Sequence, residues 1–393
     1  MIVNRKKAYA DMYIIICLLY LLQGVLYPSG GALSQSLMAI KLVVGLFTAY
    51  KILLLHNKPL FFKGLNTLLI MFIVYGVILI LSGHEFYIRE GGIGKVRNIG
   101  YLKDILNSLL PIYTFYYFTI KGYFDVKKLK RWIPIFFIIA TFQYYRYQTE
   151  TIELFNGVDD MGITNNAGYV FLSLIPALLL FNKKTYIQYF GLIVANAFII
   201  LSTKRGAIFI AALVTITFLW YNLRQSKGKK KFIIITITTL FFILAYQFIN
   251  DLLINNSYFY GRIQDTLSGN SSHRDEIYLS MWDAYTSSEN PIHKLFGRGA
   301  YGTLTVGMNF AHNDWLEILT NQGLLGVIIF ARFFIYQIKN LRDYSHNDCV
   351  KQILILVLII MFCKTIFSMS YSDISIYLSS VIGYSLAQRK VYR

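Results

Sequence analysis

The chain has 393 residues, of which 56% are hydrophobic and only 15% are charged, and its formal net charge is +18. Repeated apolar runs of about 17–23 residues, each long enough to cross a bilayer core of about 30 Å, exclude a soluble globular protein and indicate a polytopic membrane protein. The positive charge lies in short clusters beside these runs, which indicates topology and contact with anionic lipid rather than with nucleic acid.

The apolar runs predict an all-α membrane protein with about twelve transmembrane helices. They cover approximately 12–27, 33–55, 64–82, 102–120, 129–147, 166–182, 186–202, 205–221, 232–252, 315–338, 350–369 and 373–388. With the N-terminus inside, nearly two thirds of the 38 Lys and Arg residues fall on the cytoplasmic side, as the positive-inside rule requires. Both termini are therefore expected in the cytoplasm.

One integral-membrane domain is expected, with helices one to nine in 1–252, a long external loop at about 253–314, and helices ten to twelve in 315–393. The outer loop at 83–100 has four glycines between Gly83 and Gly94 and predicts a flexible connection. No disulfide, metal site or cofactor is predicted, because Cys17 and Cys363 fall in apolar runs and Cys349 lies at the cytoplasmic face.

Two cations, Lys204 and Arg205, open the eighth predicted helix. The N-terminal end of a helix dipole is positive, so these two side chains repel each other and are repelled by the dipole. Either they snorkel, or an anionic group lies beside them.

The loop at 253–314 contains a predicted amphipathic helix at about 273–287, with Arg274 in its first turn. Ser272 followed by Asp275 is a capping pattern. Apolar residues then recur at helical spacing, namely Ile277, Met281, Trp282 and Tyr285. This helix is expected to lie on the membrane or over the mouth of the bundle.

A glycine-rich stretch, Leu295-Phe-Gly-Arg-Gly-Ala-Tyr-Gly302, follows this helix. Gly297 and Gly299 would let the backbone approach a ligand closely. Arg298 between them is either a ligand-binding residue or a simple turn residue.

His312 stands where the polar loop ends and the tenth helix begins. Asn313 or Asp314 can cap this helix, and Asp314 with Glu317 reads as a capping box. Glu317 can instead orient His312 from one turn away. A histidine beside a cap is more often structural, so its interpretation depends on the arginines.

One base together with several fixed cations suits a transfer in which a hydroxyl attacks a carbon that bears a diphosphate leaving group. His312 can take the hydroxyl proton, since the unperturbed pKa of histidine is about 6.5. Arg205, Arg274 and Arg298, with Lys204, can stabilise the departing diphosphate. Four further charged residues fall in the outer parts of predicted spans, namely Lys41, Arg146, Lys364 and Asp373. Some of the basic ones can line a cationic cleft that accepts a lipid diphosphate.

These residues resemble the O-antigen ligase and polymerase superfamily of bacterial envelope enzymes. His312-Asn313, Leu316-Glu317 and Gly323-Leu-Leu-Gly326 resemble its signature, together with the preceding glycine-rich stretch. Thr203-Lys-Arg-Gly206 resembles its arginine-glycine element, and Ser268-Gly-Asn-Ser-Ser-His-Arg274 resembles its periplasmic arginine element. The resemblance covers about 200–330.

The resemblance implies a metal-independent, inverting glycosyltransferase of the bacterial inner membrane with a periplasmic active site. Its donor would be a glycan on undecaprenyl diphosphate, with His312 as the base and Arg205 and Arg274 as diphosphate ligands. A polymerase of O-antigen, capsule or exopolysaccharide would add this glycan to another lipid-linked repeat unit, and a chain-length regulator could be its partner. A ligase would instead transfer it to lipid A-core of lipopolysaccharide.

Polymerase is the preferred interpretation, because nothing in the sequence reads as a site for a lipid A-core acceptor. An alternative of another class is a flippase or secondary transporter. Such carriers are built from repeated halves with broken helices near the midplane. This chain instead divides nine helices to three around one loop, with its notable residues at the rim.

Overall fold

The computed structural model describes residues 2–88, 94–154, 165–255, 260–261, 264, 274–345 and 348–389. Its first half contains helices α1 to α8 and one hairpin: α1 (Ile2–Leu21), α2 (Ala32–Leu53), α3 (Leu60–Ser82), β1 (Phe86–Ile88), β2 (Gly94–Val96), α4 (Asn98–Ile120), α5 (Val126–Leu154), α6 (Ala167–Leu172), α7 (Ile175–Leu178) and α8 (Thr185–Leu201). Its second half contains α9 (Arg205–Gln225), α10 (Gly228–Asn255), α11 (Arg274–Thr286), α12 (Pro291–Phe296), α13 (Leu304–Gly307), α14 (Asp314–Asn340), α15 (Cys349–Phe367) and α16 (Ile376–Ala387).

Six helical segments of the described chain are long and apolar enough to cross a membrane. They are Ala32–Leu53, Leu60–Ser82, Arg205–Gln225, Ile234–Asn255, Asp314–Asp343 and Cys349–Phe367. The expectation of a multi-pass, mostly helical membrane protein is confirmed. The other six expected spans also fall on helices, with α6, α7 and the 3₁₀ turn Leu179–Phe181 together forming one of them. That all twelve cross the bilayer, and in which direction, stays a prediction.

The core of the bundle lies around α4, which packs against α2, α3 and α16. Large side chains with almost no exposure fill it, among them Tyr113, Phe115 and Phe72. α14 packs on α3, and α15 packs on α9. As a result the start of α9, the start of α14 and the end of α15 meet at one end of the bundle, which we call the His312 end.

The loop at 83–100 contains secondary structure that the sequence did not reveal. β1 and β2 pair antiparallel, with Phe86 opposite Val96 and Tyr87 opposite Lys95. Phe86 is buried and its ring lies 5.9 Å from that of Tyr301. The described parts of this loop therefore include a hairpin packed on Tyr301, and its flexibility stays a prediction.

The predicted amphipathic helix is present as α11, which begins at Arg274 and ends at Thr286. Within this helix the side chain of Met281 is buried, whereas that of Trp282 is half exposed. The expected cap Ser272, and the rest of the stretch 268–273 that carries the resemblance, lie outside the described residues.

Candidate active site at the His312 end

His312 has a left-handed backbone conformation, with φ of 52°. Such a conformation is uncommon for a residue other than glycine, although histidine adopts it more readily than most. The side chain is partly exposed. A strained backbone that the surroundings impose on a partly exposed histidine is a feature of functional sites.

The residues that follow His312 begin α14. Asn313 is the N-cap, and its side-chain oxygen accepts hydrogen bonds from the backbone N–H groups of Trp315 (2.9 Å) and Leu316 (3.2 Å). Asp314 is fully buried, and its carboxylate accepts from the backbone N–H of Ser370 at 2.8 Å. Asp314 therefore ties the chain after α15 to the start of α14.

Glu317 lies one turn into α14 and holds the loop that precedes His312. One carboxylate oxygen accepts from the backbone N–H of Ala311 at 2.8 Å. The other accepts from the Thr303 hydroxyl at 2.7 Å and from the Asn321 amide at 2.8 Å. The prediction that Asn313 can cap this helix is confirmed, and the predicted capping box of Asp314 and Glu317 is wrong. Asp314 binds the backbone of Ser370 instead of its own helix. Glu317 acts on His312 through its neighbour Ala311.

The C-terminal end of α15 brings two predicted elements of the site together. The Asn313 side chain donates to the carbonyl of Ile366 at 3.4 Å, and the Arg274 guanidinium donates to the carbonyl of Phe367 at 3.0 Å. Carbonyls at a helix C-terminus lack partners in their own helix and attract cations. Arg has five N–H donors, so Arg274 keeps the capacity to bind an anion beside this bond.

Tyr278 is a member of this cluster that sequence reasoning missed. It lies one turn after Arg274 on α11, and its hydroxyl is beside both the Arg274 guanidinium and the Asn313 amide. Burial raises the pKa of this hydroxyl, and the neighbouring Arg274 lowers it in part. The only signal in the sequence was the spacing of four residues from Arg274.

The start of α9 reaches the same place. The preceding Thr203 has φ of 52°, which is strained for a β-branched residue, and Lys204 is the N-cap. A side chain at Gly206 would place its Cβ 2.7 Å from the Cβ of Phe367 and 2.6 Å from the Tyr169 hydroxyl oxygen. Only glycine permits this contact, which brings the first turn of α9 against the end of α15.

Arg298 and its flanking glycines have a different position. The backbone N–H groups of Arg298 and Gly299 donate to the carbonyls of Thr320 (2.8 Å) and Asn321 (3.0 Å), and the Arg298 guanidinium donates to the carbonyl of Ala284 at 3.2 Å. A Cβ at Gly297 would lie 2.4 Å from the Asn321 carbonyl. Gly297 thus approaches the protein's own backbone rather than a ligand, and these contacts favour the turn interpretation of Arg298.

This stretch closes a break in α14, where Gly323 has φ of 67° and ψ of −164°. A Cβ there would lie 2.5 Å from the backbone nitrogen of Gly297. The two glycines allow the two backbones to touch, and Arg298 and Gly299 then satisfy carbonyls that the break leaves without helical partners. The sequence had located the glycines but not their contact.

The predicted cationic cleft is only partly consistent with the positions of its members. Lys41 is 5% exposed, hydrogen-bonds the Asn107 side chain and lies 5.3 Å from the Tyr20 ring. Arg146 donates to the carbonyl of Gln23 at 2.6 Å. Lys364 differs, because it pairs with Asp373 at 2.7 Å beside a small cavity.

Lys364 is also connected to the His312 end. Its ammonium lies 5.0 Å from the ring of Tyr169, the residue whose hydroxyl faces Gly206. Of the three basic residues considered for the cleft, Lys364, with its partner Asp373, is therefore the one that the described contacts relate to the candidate site.

The described contacts bring Arg274, Tyr278, Asn313 and the start of α9 around Ile366 and Phe367. This arrangement places basic side chains, a phenol and the backbone of a histidine at one rim of the bundle. No group of three or more His, Cys, Asp or Glu residues suited to a metal ion occurs within the described ranges.

Residues 190–331, a little over a third of the chain, match the family model described as O-antigen ligase. This region contains the start of α9, the whole of α11 and the first two thirds of α14. The match confirms the resemblance drawn from His312-Asn313 and the arginine elements. No curated protein matches the chain.

Proposed function

We propose, from the premise that residues 190–331 form an O-antigen ligase family domain, that this chain transfers a glycan from an undecaprenyl-diphosphate carrier to a sugar hydroxyl. The family indicates a glycosyltransferase of the ligase or polymerase type. The carrier, the inversion at the anomeric carbon and the roles of individual residues are our proposals. So is the location of the site on the external face of a bacterial inner membrane.

The observation that supports this function best is the cluster around the end of α15. Arg274 and Asn313 donate to the consecutive carbonyls of Phe367 and Ile366, and Gly206 packs against Phe367. Residues from three distant parts of the chain therefore share one neighbourhood. Asn313 adjoins His312, and Gly206 adjoins Arg205, so the cluster includes the backbone of both.

The proposed reaction uses these groups in one displacement. The acceptor hydroxyl oxygen forms a bond to the anomeric carbon while the bond from that carbon to the diphosphate oxygen breaks, which inverts the configuration. His312 takes the hydroxyl proton as a general base, a role worth about 10²–10⁴-fold in rate. Arg205 and Arg274, with Lys204, stabilise the charge that the lipid diphosphate gains.

The supporting residues keep these groups in position. Glu317 fixes the backbone at Ala311, and Asn313 joins the start of α14 to the end of α15. Tyr278, whose raised pKa keeps its hydroxyl protonated at neutral pH, can donate a hydrogen bond to a bound diphosphate. These contacts would hold the base and the cations in one geometry before the substrates arrive.

Polymerisation of repeat units is the form of this reaction that we favour, with ligation to lipid A-core as the alternative. A transporter is the alternative of another class. The break in α14 at Gly323 would suit such a carrier if its carbonyls met an ion or a substrate. They instead accept hydrogen bonds from Arg298 and Gly299, which favours a structural purpose for the break.

The test uses the purified full-length protein in nanodiscs with an undecaprenyl-diphosphate repeat unit as donor. A ladder of products from this donor alone indicates a polymerase. A single transfer that requires added lipid A-core indicates a ligase. No product with either acceptor, together with movement of the donor between leaflets in proteoliposomes, would overturn the glycosyltransferase proposal.

The matched variant is His312→Asn, because asparagine also tolerates the left-handed backbone but is not a base. We expect turnover to fall about 10²–10⁴-fold while thermal unfolding in detergent is unchanged. Activity should survive a chelator if the arginines replace a metal ion. Loss of activity with chelator and recovery with magnesium would contradict that part of the proposal.

A further inference from the structure

A groove of about 560 Å³ lies between the hairpin that follows α3 and the short helix α13. This volume is in the range of pockets that hold small ligands. The lining on the hairpin side is His84, Glu85, Phe86 and Tyr87, and on the other side it is Leu304 to Met308. None of these residues belongs to the candidate active site.

The hairpin side of the groove carries a polar and aromatic set of side chains. The Tyr87 hydroxyl donates to Glu85 at 3.0 Å, and Lys95, which pairs with Tyr87 across the two strands, forms an ion pair with the same carboxylate. The hydrogen bond from Lys95 lowers the pKa of Glu85, so this carboxylate is ionised at neutral pH. Tyr87 itself is 43% exposed.

This chemistry suits a saccharide better than an apolar or a strongly charged ligand. An ionised carboxylate accepts hydrogen bonds from sugar hydroxyls. The Thr305 hydroxyl on the opposite side donates to the carbonyl of Gly302 at 2.7 Å and can accept from a further sugar hydroxyl. The face of an exposed tyrosine ring packs against the C–H groups of a pyranose. Glu85 and Lys95 neutralise each other, so the groove offers no net charge to attract a free diphosphate.

The groove is close to His312 along the chain. Met308 in its lining precedes His312 by four residues, which bounds the distance between them at about 14 Å. The rings of Phe86, Tyr301 and Phe310 form a continuous contact, with centroids 5.9 Å apart at each step, from the hairpin to the loop before His312. The separation is that of a few sugar units.

The short helix α13 lies between the groove and the helix that carries Arg274. α13 contacts β1, which lines the groove, and it also contacts α11, which begins with Arg274. A ligand in the groove would thus approach His312 from the hairpin, while the diphosphate would lie beside Arg274. A transfer reaction has two substrates, the acceptor and the donor, and each needs its own route to His312.

We infer that the groove between the hairpin and α13 binds the acceptor glycan, holding the sugar units next to the one whose hydroxyl attacks. This inference rests on the proposed glycosyltransferase function and adds a site for its second substrate. Glu85 accepts hydrogen bonds from the bound sugar, and the Tyr87 ring packs against one sugar face.

The experiment measures acceptor and donor dependence separately in the nanodisc assay. The Tyr87→Ala variant should raise the acceptor KM by about threefold to tenfold, the effect of one ring contact, with donor KM and kcat unchanged. The matched control is Tyr186→Ala, since Tyr186 is an exposed tyrosine at the start of α8. The control should leave both KM values as they are.

A second variant and a binding measurement cover the case in which Tyr87→Ala disturbs the hairpin. Thr305→Trp fills the groove from the α13 side and should weaken acceptor binding in the same way. Binding is measured by calorimetry with the oligosaccharide that mild acid releases from the lipid-linked repeat unit. The protein background is His312→Asn, so that no turnover occurs.

The two proposals fail in different ways. If the native protein forms no product with either acceptor, the proposed function is wrong whatever the groove variants do. If His312→Asn keeps full turnover, only the role of His312 as the base is wrong. If His312→Asn is inactive but Tyr87→Ala and Thr305→Trp both bind the oligosaccharide as tightly as their parent, the proposed function stands and the acceptor groove is wrong.

Discussion

Backbone geometry differs sharply between the family-matched region, 190–331, and the rest of the described chain. Among the described residues, the four non-glycine residues with left-handed φ all fall inside the matched region: Thr203, Tyr301, Met308 and His312. Elsewhere in the described chain, left-handed φ occurs only at glycines, such as Gly83 and Gly122 after α3 and α4. The N-terminal helices form a regular scaffold, whereas the matched region accepts strain where the candidate site lies.

Buried charge shows the same contrast. In the scaffold, Lys128 pairs with Asp11 at 2.6 Å and also donates to the Lys7 carbonyl. These contacts join α5 to α1. In the matched region, Glu317 binds the backbone of Ala311, which precedes His312, and Asp314 binds the backbone of Ser370 after α15. Removal of a scaffold contact should therefore affect stability alone, whereas removal of a contact near His312 should affect activity as well.

The largest expected effect comes from the arginines of the candidate site. Arg274→Ala and Arg205→Ala should each lower turnover by about 10²–10³-fold, since each removes a cation that stabilises the leaving diphosphate. Arg274→Lys should recover only part of this, because an ammonium cannot bind bidentately. The measurement is the initial rate of product formation at saturating acceptor.

Lys41→Met is the matched control for this prediction, since Lys41 is a cation buried in the scaffold beside Asn107. It should leave turnover within twofold of the native protein, although stability can change. If Lys41→Met and Arg274→Ala reduced turnover equally, the separation of scaffold and site would be wrong, and the predicted cleft that includes Lys41 would be favoured.

Glu317→Gln should show the intermediate effect. A glutamine has one acceptor oxygen, so either the Ala311 N–H or the Asn321 amide N–H loses its acceptor in a buried place. We expect a loss of about 2 kcal/mol in the free energy of unfolding, with a further fall in turnover at temperatures where the variant is folded. Thermal unfolding and initial rates are measured on the same preparation.

The scaffold counterpart is Asp11→Asn, which weakens the bonds to Lys128 and Trp132. Asp11 is about a third exposed, so solvent screening limits the expected loss to about 1 kcal/mol. Its kcat should be unchanged. A fall in kcat as large as that of Glu317→Gln would mean that Glu317 has no special relation to His312.

The long helices could be predicted from the sequence, because the length of an apolar run is a strong local signal. α11 begins at Arg274 and ends at Thr286, close to the expected 273–287, since its amphipathic spacing is local too. The hairpin could not be predicted, because three-residue strands such as Phe86–Ile88 have no detectable period.

The site could be predicted in its motif residues but not in their partners. Asp314 and Glu317 were assigned to caps from spacing alone, yet Ser370 and Ala311 are their partners because of tertiary packing. Tyr278 was missed for a related reason, since its relation to Asn313 joins two segments of the chain that are far apart in sequence.

The smallest expected effect is that of Thr203→Gly at the strained turn before α9. A left-handed conformation costs an L-residue about 1–2 kcal/mol, and glycine adopts it without this cost. Glycine also makes the unfolded chain more flexible, which lowers the free energy of unfolding by about 0.5–1 kcal/mol. The net change should be a stabilisation of about 0.5 kcal/mol, seen as a small rise in Tm. Since Gly206 is unchanged and keeps its contact with Phe367, turnover should stay within twofold.

The reverse substitution in the scaffold sharpens this test. Gly122 has φ of 71° and open space around its Cβ position, so Gly122→Thr introduces the same residue in the same backbone region without a clash. It should destabilise the protein by about as much as Thr203→Gly stabilises it, with turnover unchanged. If Thr203→Gly instead lowers turnover while Tm rises, then the strain at Thr203 is what positions Lys204 and Arg205, and the turn belongs to the catalytic machinery.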